Sequence, residues 1–120
     1  MRDYCDPAQW GEFLADFGRR NRFRRARFET FGRGSVLEEE QEAHLENIKV
    51  ALTGIDAPRV TVTRIDNSTA RPIEMVTTIK RVRRLSPQFD VDNSEDGLEI
   101  EDEDGVMVVL RLESEVDGAS

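Results

Sequence analysis

The sequence predicts an α+β fold: one N-terminal helix packed on an antiparallel sheet of about six or seven strands, with scope for the sheet to curl into a partial barrel. Three observations predict it. Near the carboxyl end, Gly97 to Glu113 holds two alternating apolar runs around Glu103-Asp104-Gly105, the pattern of a β-hairpin. Near the amino end, Trp10, Phe13, Leu14 and Phe17 recur at i, i+3, i+4 and i+7, one apolar stripe on a helix. Between them lie short alternating runs rich in β-branched residues, separated by Gly, Pro and Asn turn signals.

The helix is expected over residues 7–20. Asp6-Pro7-Ala8-Gln9 is a start signal: a capping carboxylate, proline at the first helical position, and glutamine at capping-box spacing. Gly18 and Asn21 mark its end, with Arg19 and Arg20 near the negative pole of its dipole. The periodicity makes the aromatic residues a docking face for the sheet rather than a ligand cluster.

Strands are expected over most of 23–113. Phe23 to Phe31 alternates, with Ala26, Phe28 and Thr30 on one face. Residues 36–46 carry conflicting signals. Ser35 and Glu38 have capping-box spacing and the composition favours a helix, but the apolar stripe is poor. With residues 32–35 as a hairpin loop, Phe31 faces Val36, Arg27 faces Glu40 and Arg25 faces Glu42, so opposite charges oppose one another. The strand is therefore preferred. Ile48, Val50 and Leu52 give a third strand, Arg59 to Ile65 a fourth, and Ile73 to Ile79 a fifth. Val82 and Leu85 fall out of phase with the fifth, predicting a break near Lys80-Arg81 and a strand that ends at Ser86-Pro87-Gln88. Residues 90–97 read as a polar acidic loop. In the final hairpin a two-residue loop would bring Arg111 onto the apolar face. A three-residue loop of Glu103, Asp104 and Gly105 sets Ile100 opposite Val108 and Leu98 opposite Leu110, and is preferred. Met107 and Val109 make the second arm apolar on both faces, the mark of an interior strand. Ser114 to Ser120 reads as a frayed tail.

Length and charge bound the function. One domain is expected for 120 residues. A net charge of −8 opposes general nucleic-acid or membrane binding. One cysteine, Cys5, permits no internal disulfide, and no apolar run follows Met1 to Cys5, so no signal peptide is expected and the cytoplasm is the expected compartment.

The chemistry of catalysis finds no footing. Cys5 and the single histidine, His44, lie in no nucleophile motif, and no zinc or phosphate-loop spacing exists. Asp92, Ser94, Asp96, Gly97 and Glu103 match calcium-loop positions, but Glu99 stands where such a loop is apolar and no helices flank it. No enzyme, cofactor or metal is expected.

Charge is segregated, however. Residues 19–33 hold seven arginines and one acid, whereas twelve acids and one base follow from Asp90 onward. Arg19, Arg20, Arg22, Arg24, Arg25 and Arg27 are the candidate partner-binding residues of a non-catalytic interaction module. A protein partner or self-association is expected over nucleic acid. Single-strand binding through the same arginines, with Phe23 and Phe28 stacking, is the alternative, and an enzyme of unknown type the third.

The segment Trp10-Gly-Glu-Phe13-Leu-Ala-Asp-Phe17-Gly-Arg-Arg20-Asn21 resembles the opening of a small bacterial family of uncharacterised proteins, a domain of unknown function. Leu98-Glu-Ile-Glu-Asp-Glu-Asp-Gly105, followed by Val108-Val-Leu-Arg111, resembles that family's closing hairpin, and Leu52-Thr-Gly54-Ile55 loosely matches a segment between. A histidine common in the family before the isoleucine of its Thr-Ile segment is missing at Thr77-Thr78-Ile79. The resemblance implies a helix followed by a mostly antiparallel sheet, and no activity.

Overall fold

The computed structural model describes residues 6–32, 35–38 and 43–113. After a single 3₁₀ turn at Pro7–Gln9, helix α1 runs Trp10–Arg20. The strands follow: β1 Arg25–Gly32, β2 Ser35–Glu38, β3 Ala43–Ala51, β4 Arg59–Asp66, β5 Ile73–Ile79, β6 Val82–Phe89, β7 Glu95–Asp102 and β8 Met107–Leu112. Every strand pairing is antiparallel. Seven strands lie in the order β5-β4-β3-β1-β8-β7-β6, and β2 pairs with β1. The fold is α+β, and the sheet is open, with β5 and β6 as its edges. No described helix is long and apolar enough to cross a membrane.

The expected helix thus opens with one tighter turn. Asp6 Oδ1 accepts from the Ala8 amide at 3.0 Å, satisfying one of the donors that a helix start leaves bare. Gly18 is not the stop signal: it is buried in the last turn, where an added Cβ would meet the Ile48 amide nitrogen at 3.4 Å. Its missing side chain lets α1 close on the β3 backbone. The helix ends instead at Asn21, whose amide and Nδ2 both donate to the Phe17 carbonyl, at 3.1 and 2.9 Å.

The carboxyl-terminal hairpin has the expected register. Leu98 pairs with Leu110 and Ile100 with Val108. The Asp102 amide donates to Val106 O at 3.0 Å, and Gly105 takes φ +81°, the left-handed conformation that the three-residue loop needs. β8 is interior, between β1 and β7, as its two apolar faces require.

The contested segment is strand where it is described. Phe31 pairs with Val36 and Glu29 with Glu38, so the hairpin at 32–35 stands. The expected continuation fails. Arg25 pairs with His44, not Glu42, because β1 passes from β2 to β3 with the register moved by two residues. Glu40 and Glu42 lie outside the described residues, as does the tail from Ser114. The third strand starts at Ala43 rather than Ile48, with a bulge between Leu45 and Asn47.

Two further expectations are corrected. The break after β5 falls at Lys80-Arg81, with Arg81 at φ +50°, but β6 does not stop at Ser86-Pro87-Gln88; it runs through them to Phe89. Pro87 is tolerated because β6 is an edge, where a missing N–H costs no ladder bond. The acidic loop is also shorter, since β7 begins at Glu95 and includes Gly97. Of the calcium-loop positions, Asp96 and Gly97 lie on the extended β7, whereas Asp92 and Ser94 sit in the turn before it and Glu103 in the turn after it, so the five do not wind as one loop.

Trp10, Leu14 and Phe17 are fully buried in one cluster with Leu45, Val60, Val62, Leu85, Leu98, Ile100 and Leu110, the core face of the sheet. β4 contributes Val60, Val62, Arg64 and Asp66 from one face, all buried. The Arg64 guanidinium lies 4.6 Å from the centre of the Phe28 ring and donates to Ala26 O at 3.0 Å, so the core ends in a cation held by an aromatic face and a carbonyl.

Candidate functional site

The helix stop and the start of β1 place five of the six predicted arginines, all but Arg27, along the seam where α1, β1, β3 and β7 meet. The seam is largely closed on itself. Arg19 reaches Asp16 at 2.8 Å, one turn back on the helix. Arg20 makes a two-pronged contact with Glu95 on β7, Nε to Oε1 and Nη2 to Oε2, each 2.9 Å. Arg22 pairs with Glu46 at 2.6 Å. Arg25 pairs with Glu113 at 2.5 Å. Arg24 binds main chain: Glu113 O at 3.0 and 2.6 Å and Glu95 O at 2.5 Å, with Asn21 Oδ1 at 2.8 Å. It ties the helix exit to the ends of β7 and β8. The planar guanidinium, with donors on several edges, suits such a junction. Arg27 lies apart from the seam, on β1 across from Arg111.

Five guanidinium groups in the seam therefore face four carboxylates, those of Asp16, Glu46, Glu95 and Glu113. Within the seam, Arg19, Arg20, Arg22, Arg24 and Arg25 are thus nearly balanced by these carboxylates. Glu95 is its centre. Burial favours the protonated acid, but hydrogen bonds from Arg20 and Asn21, with the charges of Arg20 and Arg24, outweigh burial and hold its pKa below the usual 4.5. Asp92, in the exposed turn before β7, is lowered from 3.8 by the Ser94 hydroxyl and amide.

The Arg20–Glu95 pair also forms one wall of a groove of 960 Å³ between α1 and the β6–β7 end of the sheet. The helix lines it with Glu12, Phe13 and Asp16; β6 lines it with Pro87 and Phe89. Phe89 is 49% exposed although it closes a strand. Phe13 is the one member of the helical stripe that is only partly buried, and it contacts Phe17 at 6.0 Å between ring centres. The groove is thus lined by two aromatic rings, a proline and the carboxylates of Glu12, Asp16 and Glu95, the last paired with Arg20, a lining suited to an apolar group carrying or flanked by positive charge. Sequence reasoning missed it. Phe89 sits in no periodic stripe, and the chain separation between α1 and β6 conceals their proximity.

Among the described residues no three His, Cys, Asp or Glu side chains are placed to hold a metal ion. His44 is half-buried on β3, with Nδ1 enclosed and without a hydrogen-bond partner among the described residues. Cys5 and Arg33 lie outside the described residues. Compared with family models, with curated proteins and with solved structures, the chain finds no match in any of the three.

Proposed function

We propose that this chain is a non-catalytic interaction module that holds a protein segment in the groove along α1, next to the Arg-rich seam. The observation that carries this reading is the half-exposed Phe89 beside the partly buried Phe13 in a groove also lined by Glu12, Asp16 and Glu95. An aromatic ring left half in water at the end of a strand forgoes burial that a partner would supply. Arg20 joins the two surfaces, since it belongs to the seam and lines the groove. Membership of the uncharacterised bacterial family is part of the same proposal, as is a cytoplasmic setting.

The test is a photo-reactive phenylalanine at position 89 of the whole chain in its host cell. Adducts to a protein are expected at Phe89, and their loss when Glu12→Lys reverses charge in the lining. The same probe at exposed Ile55, in the turn before β4, is the comparison. If both positions give the same adducts, the groove is not the contact surface.

One observation favours the nucleic-acid alternative. Phe23 is 63% exposed, is held at φ +73° and has the Arg22 guanidinium 4.6 Å from its ring centre. Such a pair is a stacking platform for an unpaired base. Binding of a labelled single strand that weakens steeply with salt and falls with Phe23→Ala would favour that reading. The four carboxylates among the arginines oppose it.

A further inference from the structure

The two edges of the sheet differ. β6 carries Pro87, has register shifts at Val82/Arg84 and Gln88/Phe89, and adds the charged Arg83 and Arg84. These are the devices that keep one sheet edge from pairing with another. β5 has neither proline nor register shift, and a single charge, Glu74. Its seven residues, Ile73-Glu74-Met75-Val76-Thr77-Thr78-Ile79, pair with β4 in one unbroken register. Its outer side has no strand neighbour among the described residues. Ile73 and Val76 are 50% and 55% exposed.

We propose that β5 is a self-association edge: two copies of this chain join β5 to β5 antiparallel about a two-fold axis, continuing the sheet from one copy into the other. A second copy is the occupant because the strand is complementary to itself. With Val76 on the axis all seven residues find partners. Ile73 then meets the other copy's Ile79, Met75 meets Thr77, Val76 meets Val76 and Glu74 meets Thr78. No like charges are opposed, although each chain carries −8 overall. Side chains alternate, so Ile73 and Met75 share the face of buried Ile79. The exposed end of that face in one copy is covered by the buried end in the other, which makes the two cores continuous. The inference is independent of the groove.

The test is sedimentation equilibrium of the full chain with paired cysteine variants. The chain is expected to run at twice 13.7 kDa. Val76→Lys places two ammonium groups face to face and is expected to give a monomer with an unchanged circular dichroism spectrum, since Val76 points to solvent in the single chain. With Cys5→Ser as background, Val76→Cys is expected to form a disulfide-linked dimer on mild oxidation, because residues opposite one another in an antiparallel pair are within bridging distance. Thr78→Cys, whose opposite residue is Glu74, is expected not to. A monomeric wild-type chain at millimolar concentration overturns the proposal. So does a Val76→Lys chain that remains dimeric, or a Thr78→Cys chain that links as readily as Val76→Cys.

Discussion

Glu95 is the residue on which the seam depends, and its pH behaviour follows from its surroundings. Its folded pKa is depressed below 4.5, so its contribution to stability is present above the unfolded value and is lost as pH falls through the folded one. Glu95→Gln should cost about 1–2 kcal/mol in urea unfolding at pH 7, the scale of a charge-assisted hydrogen bond, and the difference from wild type should shrink below pH 4. Arg64 is a different case, because its guanidinium is 1% exposed and packs on Phe28. Arg64→Ala removes a buried side chain and leaves the Ala26 carbonyl short of a donor, and should cost about 3 kcal/mol in the same measurement. Gly97 acts by what it lacks. It lies on β7 between Gln88 on β6 and Arg111 on β8, and Arg111 Nη1 reaches Gln88 Oε1 at 2.9 Å across the gap. Arg111 also holds Glu29 on β1 at 2.9 Å, so one arginine ties together three strands of the outer face. A Cβ at Gly97 would stand 3.0 Å from Leu110 O, a backbone atom that cannot give cheaply. Gly97→Ala should therefore destabilise by about 1–2 kcal/mol.

At the scale of elements, α1 is held by tertiary packing rather than by propensity. It is eleven residues long, below the length at which an isolated helix persists in water. Leu14, fully buried, should on change to Ala cost about 3 kcal/mol, and the loss should appear in the whole unfolding transition rather than in the helix alone. The carboxyl-terminal hairpin was legible to the register because its local rules agree: alternating Leu98 and Ile100, alternating Val108 and Leu110, and Gly105 where φ must be positive. The passage from β2 to β3 was legible only in part. Arg25 looked toward Glu42 on charge alone, but the change of partner strand sets His44 there, and no pattern within the chain encodes when a strand leaves one neighbour for another. Pro87 read as a terminator for the same reason. Proline ends an interior strand and is harmless on an edge, and edge position is a property of the sheet.

For the molecule as a whole, the open sheet leaves β5 without a strand neighbour on its outer side among the described residues. If β5 joins two copies, the melting temperature should rise with protein concentration by mass action, and Val76→Lys should flatten that dependence. The proposed groove makes a separate claim, since Phe89→Ser should leave the melting temperature nearly unchanged, a half-exposed ring contributing little to the folded chain, while removing the partner. The acidic balance of the chain also looks different in three dimensions. Arg19, Arg20, Arg22 and Arg25 meet carboxylates from α1, β7, β3 and the end of β8, so these arginines do not stand together as one free cationic face.

The class of fold, the helix, the final hairpin and most strands follow from the sequence alone, because residue periodicity and turn chemistry act over a few neighbours. Which strands become edges, where β1 exchanges partners, which arginines meet acids and where two distant phenylalanines frame a groove were decided by the tertiary structure. Those outcomes depend on residues as far apart as Arg20 and Glu95, which only the packing of α1 on the sheet brings within hydrogen-bond distance.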